Sequence, residues 1–177
     1  NEEEMMEEED NIVTLTDENG EDVQFEFLDI IEYDGNQYVV LLPAEETEEP
    51  GEVVILQIED TDDDAEEESY ISVDDETTLN TVFEIFKDKF KDEFKNIALK
   101  LVGSGYTFLI INDNKELQII NMSNQESPYM YGFVPLIALD LWEHAYYLDY
   151  QNRRLDYATT VVQQAMNWRF IADNLSV

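Results

Sequence analysis

Acidic residues are distributed so unevenly along this sequence that one uniform folding unit is a poor description of it. Residues 1–78 contain 31 Asp or Glu and no Lys or Arg, whereas residues 79–177 contain the other 12 acids and all 9 bases. The formal charges are therefore −31 for the first part and 9 minus 12, or −3, for the second. Such a break in charge predicts two units of different origin.

The composition excludes several classes of function. A formal net charge of −34 repels phosphate backbones and anionic lipid, so we expect no nucleic-acid or membrane partner. The chain contains no Cys, which excludes disulfides and thiolate ligands, and a single His. No apolar run approaches the ~20 residues of a membrane span, and no signal segment opens the sequence, so we expect a cytoplasmic protein.

The first part reads as short strands. Residues 1–10 are an acidic block that predicts a disordered tail. Within residues 11–85, β-branched and alternating apolar segments are separated by turn signals at 19–20 and 34–36 and by two acidic loops, 45–51 and 59–69. The predicted strands are residues 12–16, 23–27, 38–42, 52–58 and 70–73. This pattern predicts an antiparallel β-meander in an acidic, β-rich domain.

The second part has a mixed pattern. Apolar residues recur at spacings of three and four over residues 75–102, which predicts a junction helix that ends at Gly103-Ser104-Gly105. Three further strands are predicted at 106–111, 116–122 and 133–139, with a polar loop over 121–132. A helical pattern follows from 142 to 168, with a break near 152–156. The expected fold class is therefore α+β, with a second domain over residues 86–177.

One short segment carries recognisable chemistry. Asp140 follows an apolar strand, and His144 lies four residues later at the start of a helix. A carboxylate at a strand end and an imidazole on the next helical turn can converge on one metal ion, and oxygen and nitrogen ligands suit Mn, Fe and Zn. The pair alone is a weak signal, because such spacings are common.

The wider pattern is more specific. Residues 140–147 read Asp-Leu-Trp-Glu-His-Ala-Tyr-Tyr, followed by Tyr150-Gln151-Asn152-Arg153-Arg154. Together with 103–105 and 124–128, this segment resembles the C-terminal domain of iron/manganese superoxide dismutases, over roughly residues 86–175. The resemblance implies a three-stranded antiparallel sheet with helices, and Mn or Fe as the metal if any is bound.

The resemblance also implies roles for individual residues. Asp140 and His144 match two of the four protein metal ligands of the family. Gln125 matches the glutamine that hydrogen-bonds metal-bound solvent, and Tyr147 matches a tyrosine near the substrate gateway. Glu143 matches the residue that crosses the dimer interface, which implies a homodimer through the Glu143/His144 region.

The sequence departs from this family in several places. Tyr106 and Phe108 replace the tryptophans usual beside the metal, and Leu155 replaces a proline. The family's other two ligands are histidines on an N-terminal helical hairpin that is missing here. Residues 1–85 resemble instead a small, acidic, uncharacterised bacterial family of the YrzB type, on their strands, acidic loops and the ending 72–75.

Three hypotheses remain open at this stage. In the first, the chain is a fusion whose dismutase-like half lacks autonomous catalysis. In the second, it is a metal-dependent dismutase completed by another subunit. In the third, it is an acidic module that binds a basic protein. For His144 the corresponding alternatives are a structural role without metal, weak metal binding, or part of a site completed in trans. A dimer, or the strand-rich half, is expected to cover the apolar surface that the missing hairpin would cover.

Overall fold

The computed structural model describes residues 12–16, 20–44, 53–59 and 69–175. The chain divides into two compact units, residues 1–87 and residues 88–177, and each has its own apolar core. The predicted tail over 1–10, the predicted turn residue Asn19 and most of both predicted acidic loops lie outside the described residues.

The first unit contains one antiparallel sheet in which each strand pairs with the next along the chain. Asp34 and Gly35 both have positive φ and join two paired strands, as a tight two-residue hairpin turn requires. The predicted meander is thereby confirmed. Its strands are β1 (Ile12–Thr16), β2 (Asp22–Tyr33), β3 (Asn36–Pro43), β4 (Val54–Glu59) and β5 (Ser69–Ser72).

The helix α1 (Glu76–Leu99) is preceded by Asp75, whose carboxylate accepts hydrogen bonds from the backbone N–H and the hydroxyl of Thr78. These hydrogen bonds lower the pKa of Asp75 from its ordinary value. The arrangement is an N-cap, which supplies acceptors that the first helical turn lacks. The predicted helix over 75–102 is correct, although it ends at Leu99.

Helix α1 contributes to both cores through different residues. Val82 is fully buried in the core of the first unit, together with Tyr38 and Val40 of β3. Phe94 and Ala98 are fully buried in the core of the second unit. The spacing of three and four that predicted the helix therefore marks residues with two different sets of neighbours.

The second unit is a three-stranded antiparallel sheet with helices, as predicted, and the first of its strands along the chain lies in the middle. Two details were wrong: residues 121–132 are not wholly loop, and the last helical segment has a second break, at 165–167. Asn167 explains this break, because its side chain caps the next helix by accepting from the N–H of Phe170. The elements are β6 (Gly105–Ile111), β7 (Leu117–Ser123), a 3-10 helix (Pro128–Tyr131), β8 (Val134–Asp140), α2 (Glu143–Tyr150), α3 (Arg154–Gln164) and α4 (Trp168–Asp173).

The core of the second unit fixes the end of β8. Leu139 and Leu141, on either side of Asp140, are buried among side chains of β6, α1 and α3. The N–H of Leu141 donates to the carbonyl of Gly105, which extends the pairing of β8 with β6 by one more residue. Asp140 therefore has a defined backbone position. None of the helices in the described ranges is both long and apolar enough to cross a membrane.

Candidate metal centre

Asp140 and His144 lie in contact where β8 gives way to α2. Asp140 is the last residue of β8 and His144 the second residue of α2. The His144 Nε2 atom is 3.4 Å from Asp140 Oδ2. The two side chains, four residues apart in sequence, therefore lie in contact as the sequence predicted.

Trp142 connects this pair to the loop after β7. Its backbone N–H donates to the second carboxylate oxygen of Asp140 at 2.9 Å, and its ring centroid lies 5.7 Å from that of His144. The indole Nε1–H donates to the carbonyl of Asn124 at 3.4 Å. One carboxylate oxygen is thus engaged by the backbone, while the other faces the imidazole.

The pair is open to solvent. The His144 side chain is 68% exposed and that of Asp140 is 30% exposed. At such exposure water screens any attraction between the carboxylate and a protonated imidazole, and a surface pair of this kind contributes about 0–1 kcal/mol. The pair is an accessible corner of the unit and not an enclosed cage.

The donor set does not fit a resident redox metal by itself. A first-row metal in a catalytic site takes three or more protein ligands. Within the described ranges, no group of three or more His, Cys, Asp or Glu side chains could hold an ion. His144 is the only imidazole of the 177 residues, so these residues contribute at most one nitrogen ligand of that type.

The other predicted site residues lie around this corner with exposed side chains. Gln125 follows Asn124 in the turn after β7, and Glu143 and Tyr147 occupy α2 beside His144. Tyr147 is 50% exposed. Of the five predicted residues, the structure brings Asp140 and His144 into contact.

Tyr106 and Phe108, which stand where the family resemblance implies tryptophans, form an aromatic pair on β6. Their ring centroids are 5.8 Å apart, and Phe108 is buried with Ile110 and Met122. Tyr106 pairs with Asp140 across the β6–β8 ladder. The strand that carries the carboxylate is therefore packed beside rings smaller than indole.

Arg154 belongs to the sequence motif, but no role was predicted for it. In the structure it connects several segments of the second unit by hydrogen bonds. It stands at the first position of α3, and its guanidinium donates four hydrogen bonds to groups on the segments around the end of β8. The acceptors are Tyr146 Oη (3.0 Å), Leu101 O (2.9 Å), Gly103 O (2.7 Å) and Leu141 O (3.1 Å). A partly buried cation with this many carbonyl acceptors holds separate segments together.

Tyr157 of α3 titrates at higher pH than an ordinary tyrosine, because its pKa is raised by its surroundings. Burial raises the pKa of Tyr157 above its ordinary value of 10.0, and the negative charge of Asp140 raises it further. The neighbouring hydroxyls of Tyr146 and Tyr150 act in the same direction. Tyr157 stacks on Tyr146 with ring centroids 4.8 Å apart. The negative charge of Asp140 at the end of β8 therefore acts on Tyr157, a partly buried tyrosine of α3.

Fold and corner together define a class of domain: an antiparallel three-stranded sheet with a carboxylate at the end of its last strand and an imidazole on the following helix. The family model for the C-terminal domain of iron/manganese superoxide dismutases matches residues 74–174, more than half of the chain. A second family model, for a protein of unknown function (DUF1292), matches residues 18–91.

Curated relatives divide between the same two halves. A protein named superoxide dismutase (Mn/Fe) from Rickettsia conorii is 44% identical over 97 residues, which cover 55% of this chain and 46% of the relative. A superoxide dismutase (Fe) from Synechococcus elongatus is 46% identical over 87 residues, 49% of this chain and 43% of the relative. A UPF0473 protein from Caldicellulosiruptor bescii is 55% identical over 87 residues, 48% of this chain and 85% of the relative.

The chain belongs to the iron/manganese superoxide dismutase family through its C-terminal domain and to the UPF0473 family through its N-terminal half. Both predicted resemblances are thereby confirmed. The chain spans less than half the length of the dismutases that it matches. The two family models overlap over residues 74–91, which include the first part of α1.

Proposed function

We propose that these 177 residues form a dismutase-type domain without autonomous dismutase activity, joined to an acidic binding domain. One observation supports this most directly. The exposed pair Asp140 and His144 is two ligands short of the family's set, and His144 is the only imidazole available. The domain then acts through its surfaces, as an interaction module.

The chemistry of the family explains why the shortage matters. A dismutase metal alternately oxidises and reduces superoxide, and its ligands and their hydrogen-bond partners set its potential between the two half-reactions. Loss of one hydrogen-bond partner around such a site already costs about 10–100-fold in affinity or activity. Loss of two direct ligands costs more, and an ion held by Asp140 and His144 alone keeps mostly water ligands.

An activity measurement tests this proposal. The purified chain is incubated with Mn(II) or Fe(II), desalted, and assayed for superoxide turnover beside His144→Ala, in which the proposed weak ligand is removed. We expect neither protein to remove superoxide faster than the buffer alone does. Turnover comparable to that of a complete family member, lost in His144→Ala, would contradict the proposal.

A second candidate is a dismutase completed by another polypeptide. The single imidazole of these 177 residues motivates this possibility, because the family's ligand set requires two more histidines. The missing imidazoles would come from a hairpin-bearing subunit, and the bound metal would be Mn or Fe. Co-expression with such a subunit should then give a complex with stoichiometric metal, and a metal-free complex counts against this candidate.

A homodimer through the Glu143/His144 region is the partner proposed for the second unit. The exposed apolar and aromatic side chains of α2 support it, since Tyr147 is 50% and Leu148 92% exposed. Apolar groups at such positions gain from burial against another surface. Sedimentation at low micromolar concentration tests the proposal: Leu148→Asp should shift a dimer to monomer, and a monomeric parent chain would reject it.

The partner proposed for the first unit is a basic protein. The absence of any Lys or Arg among residues 1–78 supports this, because 31 uncompensated acids attract cations over a distance of about a Debye length. Binding should weaken as salt is raised. Affinity that is independent of salt would contradict this part of the proposal.

A further inference from the structure

A cavity lies in the second unit, between β8 and the helices α1, α3 and α4. Its volume is about 170 Å³. The inner wall consists of Phe94 of α1, Leu139 of β8 and Val162 of α3, and all three side chains are buried in the core. Asp140 and His144 do not line it. The cavity is therefore a feature distinct from the candidate metal centre.

The cavity opens to solvent at the break between α3 and α4. Residues 165–167 separate the two helices, and all three of them line the cavity. Asn167 and Phe170 line it as exposed residues, and Phe170 is 49% exposed, so these two form its rim. Met166 is half-buried beside them. A Met side chain is unbranched and flexible, so this opening can adapt to a ligand.

The side chains that line the cavity are apolar, with one exception. Among the described residues, no lining side chain carries a charge, and Asn167 is the one polar side chain. An ion in this place would lose its hydration without gaining a charged partner, which is costly. A buried water is also poorly matched to these side chains, because it needs two to four polar partners. The lining therefore favours a neutral, mostly apolar molecule.

The volume of the cavity matches a molecule with a single ring. An apolar cavity of about 150 Å³ in a protein core binds benzene or xenon. Atoms that line a void lose dispersion contacts, and a ligand of matching shape restores those contacts. A compound about as large as benzene therefore gains both the burial of its own apolar surface and contacts with the inner wall.

Asn167 supplies a hydrogen-bond donor at the rim. Its Oδ1 atom accepts from the backbone N–H of Phe170 and caps α4. The amide nitrogen carries two further N–H donors, and the structure gives them no acceptor among the described residues. Because Asn167 lines the cavity, a ligand whose ring occupies the cavity can accept a hydrogen bond from this amide.

We propose that this cavity binds a small neutral molecule with a single ring and one hydrogen-bond acceptor, such as an ether or carbonyl oxygen. The ring packs against Phe94, Leu139 and Val162, and the acceptor receives a hydrogen bond from the amide of Asn167. The site is independent of the proposed function, since it requires neither a metal ion nor a basic partner.

Methyl NMR of the unsubstituted full chain tests the site, with ethylbenzene as the probe. We expect saturable shifts in the methyl signals of Leu139, Val161 and Val162, which line the cavity. The signals of Val40 and Leu41, which are buried in the first unit, should change little. No shifts, or equal shifts in the two units, would overturn the proposal.

Anisole tests the acceptor, because it has nearly the shape of ethylbenzene but carries an ether oxygen in place of a methylene. Asn167→Asp keeps a side-chain oxygen to cap α4 and removes the amide N–H donors. The ratio of anisole affinity to ethylbenzene affinity should fall about threefold or more in this variant. An unchanged ratio would overturn the role of Asn167, and binding of charged benzoate as tightly as ethylbenzene would contradict the neutral class of ligand.

Two substitutions of the same kind test where the probe binds. Val161 lines the cavity and is half-buried, whereas Val102 is 92% exposed and is not a lining residue. Val161→Phe adds volume at the cavity wall and should weaken ethylbenzene binding about tenfold or more. Val102→Phe should leave the binding unchanged. Equal effects of the two substitutions would overturn the assignment of the probe to this cavity.

Discussion

The two units of this chain differ in their charge and in the side chains of their sheets. The second unit has a nearly balanced charge, one sheet, and an exposed contact between Asp140 at a strand end and His144 on the next helix. The first unit has a sheet whose central strand is apolar on both faces, and it carries 32 acids against one base, Lys87. The comparison illustrates that fold and function are separable, because function resides in particular side chains.

The largest expected effect separates the stability of the units. Gly105 begins β6 with φ 158°, and a Cβ there would lie 2.1 Å from the carbonyl oxygen of Met122. Gly105→Ala should therefore destabilise the second unit by about 3 kcal/mol or more. Amide hydrogen exchange followed by NMR should show faster exchange in β6 and β7 and little change in β3.

Gly103→Ala is the matched control. Gly103 has φ 85°, but nothing lies within 4 Å of the position of its Cβ. The substitution introduces backbone strain without a clash and should cost about 1–2 kcal/mol. Equal costs at the two positions would show that the close approach at Met122 is not decisive.

The next effect concerns Arg154. Arg154→Gln removes most of the guanidinium donors that hold Leu101, Gly103 and Leu141, and should destabilise the second unit by about 2–3 kcal/mol. Arg154→Lys keeps the charge but not the fork and should recover only part of this loss. Arg153→Gln, at an exposed neighbour, is the control in urea unfolding and should cost less. A larger loss for Arg153→Gln would contradict the role of Arg154.

Added salt should stabilise the first unit more than the second. Screening shortens the Debye length from about 30 Å at 0.01 M to about 3 Å at 1 M salt. The self-repulsion of −31 charges is relieved by this change, whereas a unit near neutrality has little to relieve. Hydrogen exchange should therefore slow more in β2 and β3 than in β6 and β8. Equal slowing would indicate that charge is not what distinguishes the units.

The smallest effect is the pH dependence from Tyr157. Its pKa is raised, mainly by burial, so the folded chain keeps the phenolic proton to higher pH than the unfolded chain does. The stability from this group is complete below the ordinary pKa of 10.0 and is lost as pH rises through the higher folded pKa. Ultraviolet titration should show one late tyrosine that is absent in Tyr157→Phe.

The contribution of Asp140 to that shift can be tested separately. Asp140→Asn removes the negative charge but not the burial, so the pKa of Tyr157 should fall only part of the way toward its ordinary value. An unchanged pKa would show that the carboxylate does not act on the tyrosine. A complete return would contradict burial as the main cause.

Local patterns in the sequence predicted much of this structure. The β-branched residues of 12–16, the alternation in 23–27, the Asp34-Gly35 turn and the helix period identified elements of the first unit, because each signal lies within a few neighbouring residues. The contact of Asp140 with His144 was predictable for the same reason, since it spans four residues. The five-strand order followed from short connections between successive strands.

The features that were missed depend on contacts between distant residues. Arg154 reaches carbonyl groups that lie 53 and 51 residues away in sequence, and no local pattern records those acceptors. The irregularity at Leu28, which places this residue in the cluster that packs with Val82 of α1, depends on the register of β2 with β3. The two apolar faces of β3 could be told apart only from the register, which shows which side chains lie on the same side of the sheet.

The central claim is that these 177 residues alone cannot hold a redox metal, and metal content tests it most directly. The purified chain is loaded with Mn(II) or Fe(II), desalted and measured by elemental analysis, beside His144→Ala. We predict far less than one ion per chain, with no difference between the two proteins. One ion of Mn or Fe retained per chain, and lost in His144→Ala, would contradict the account.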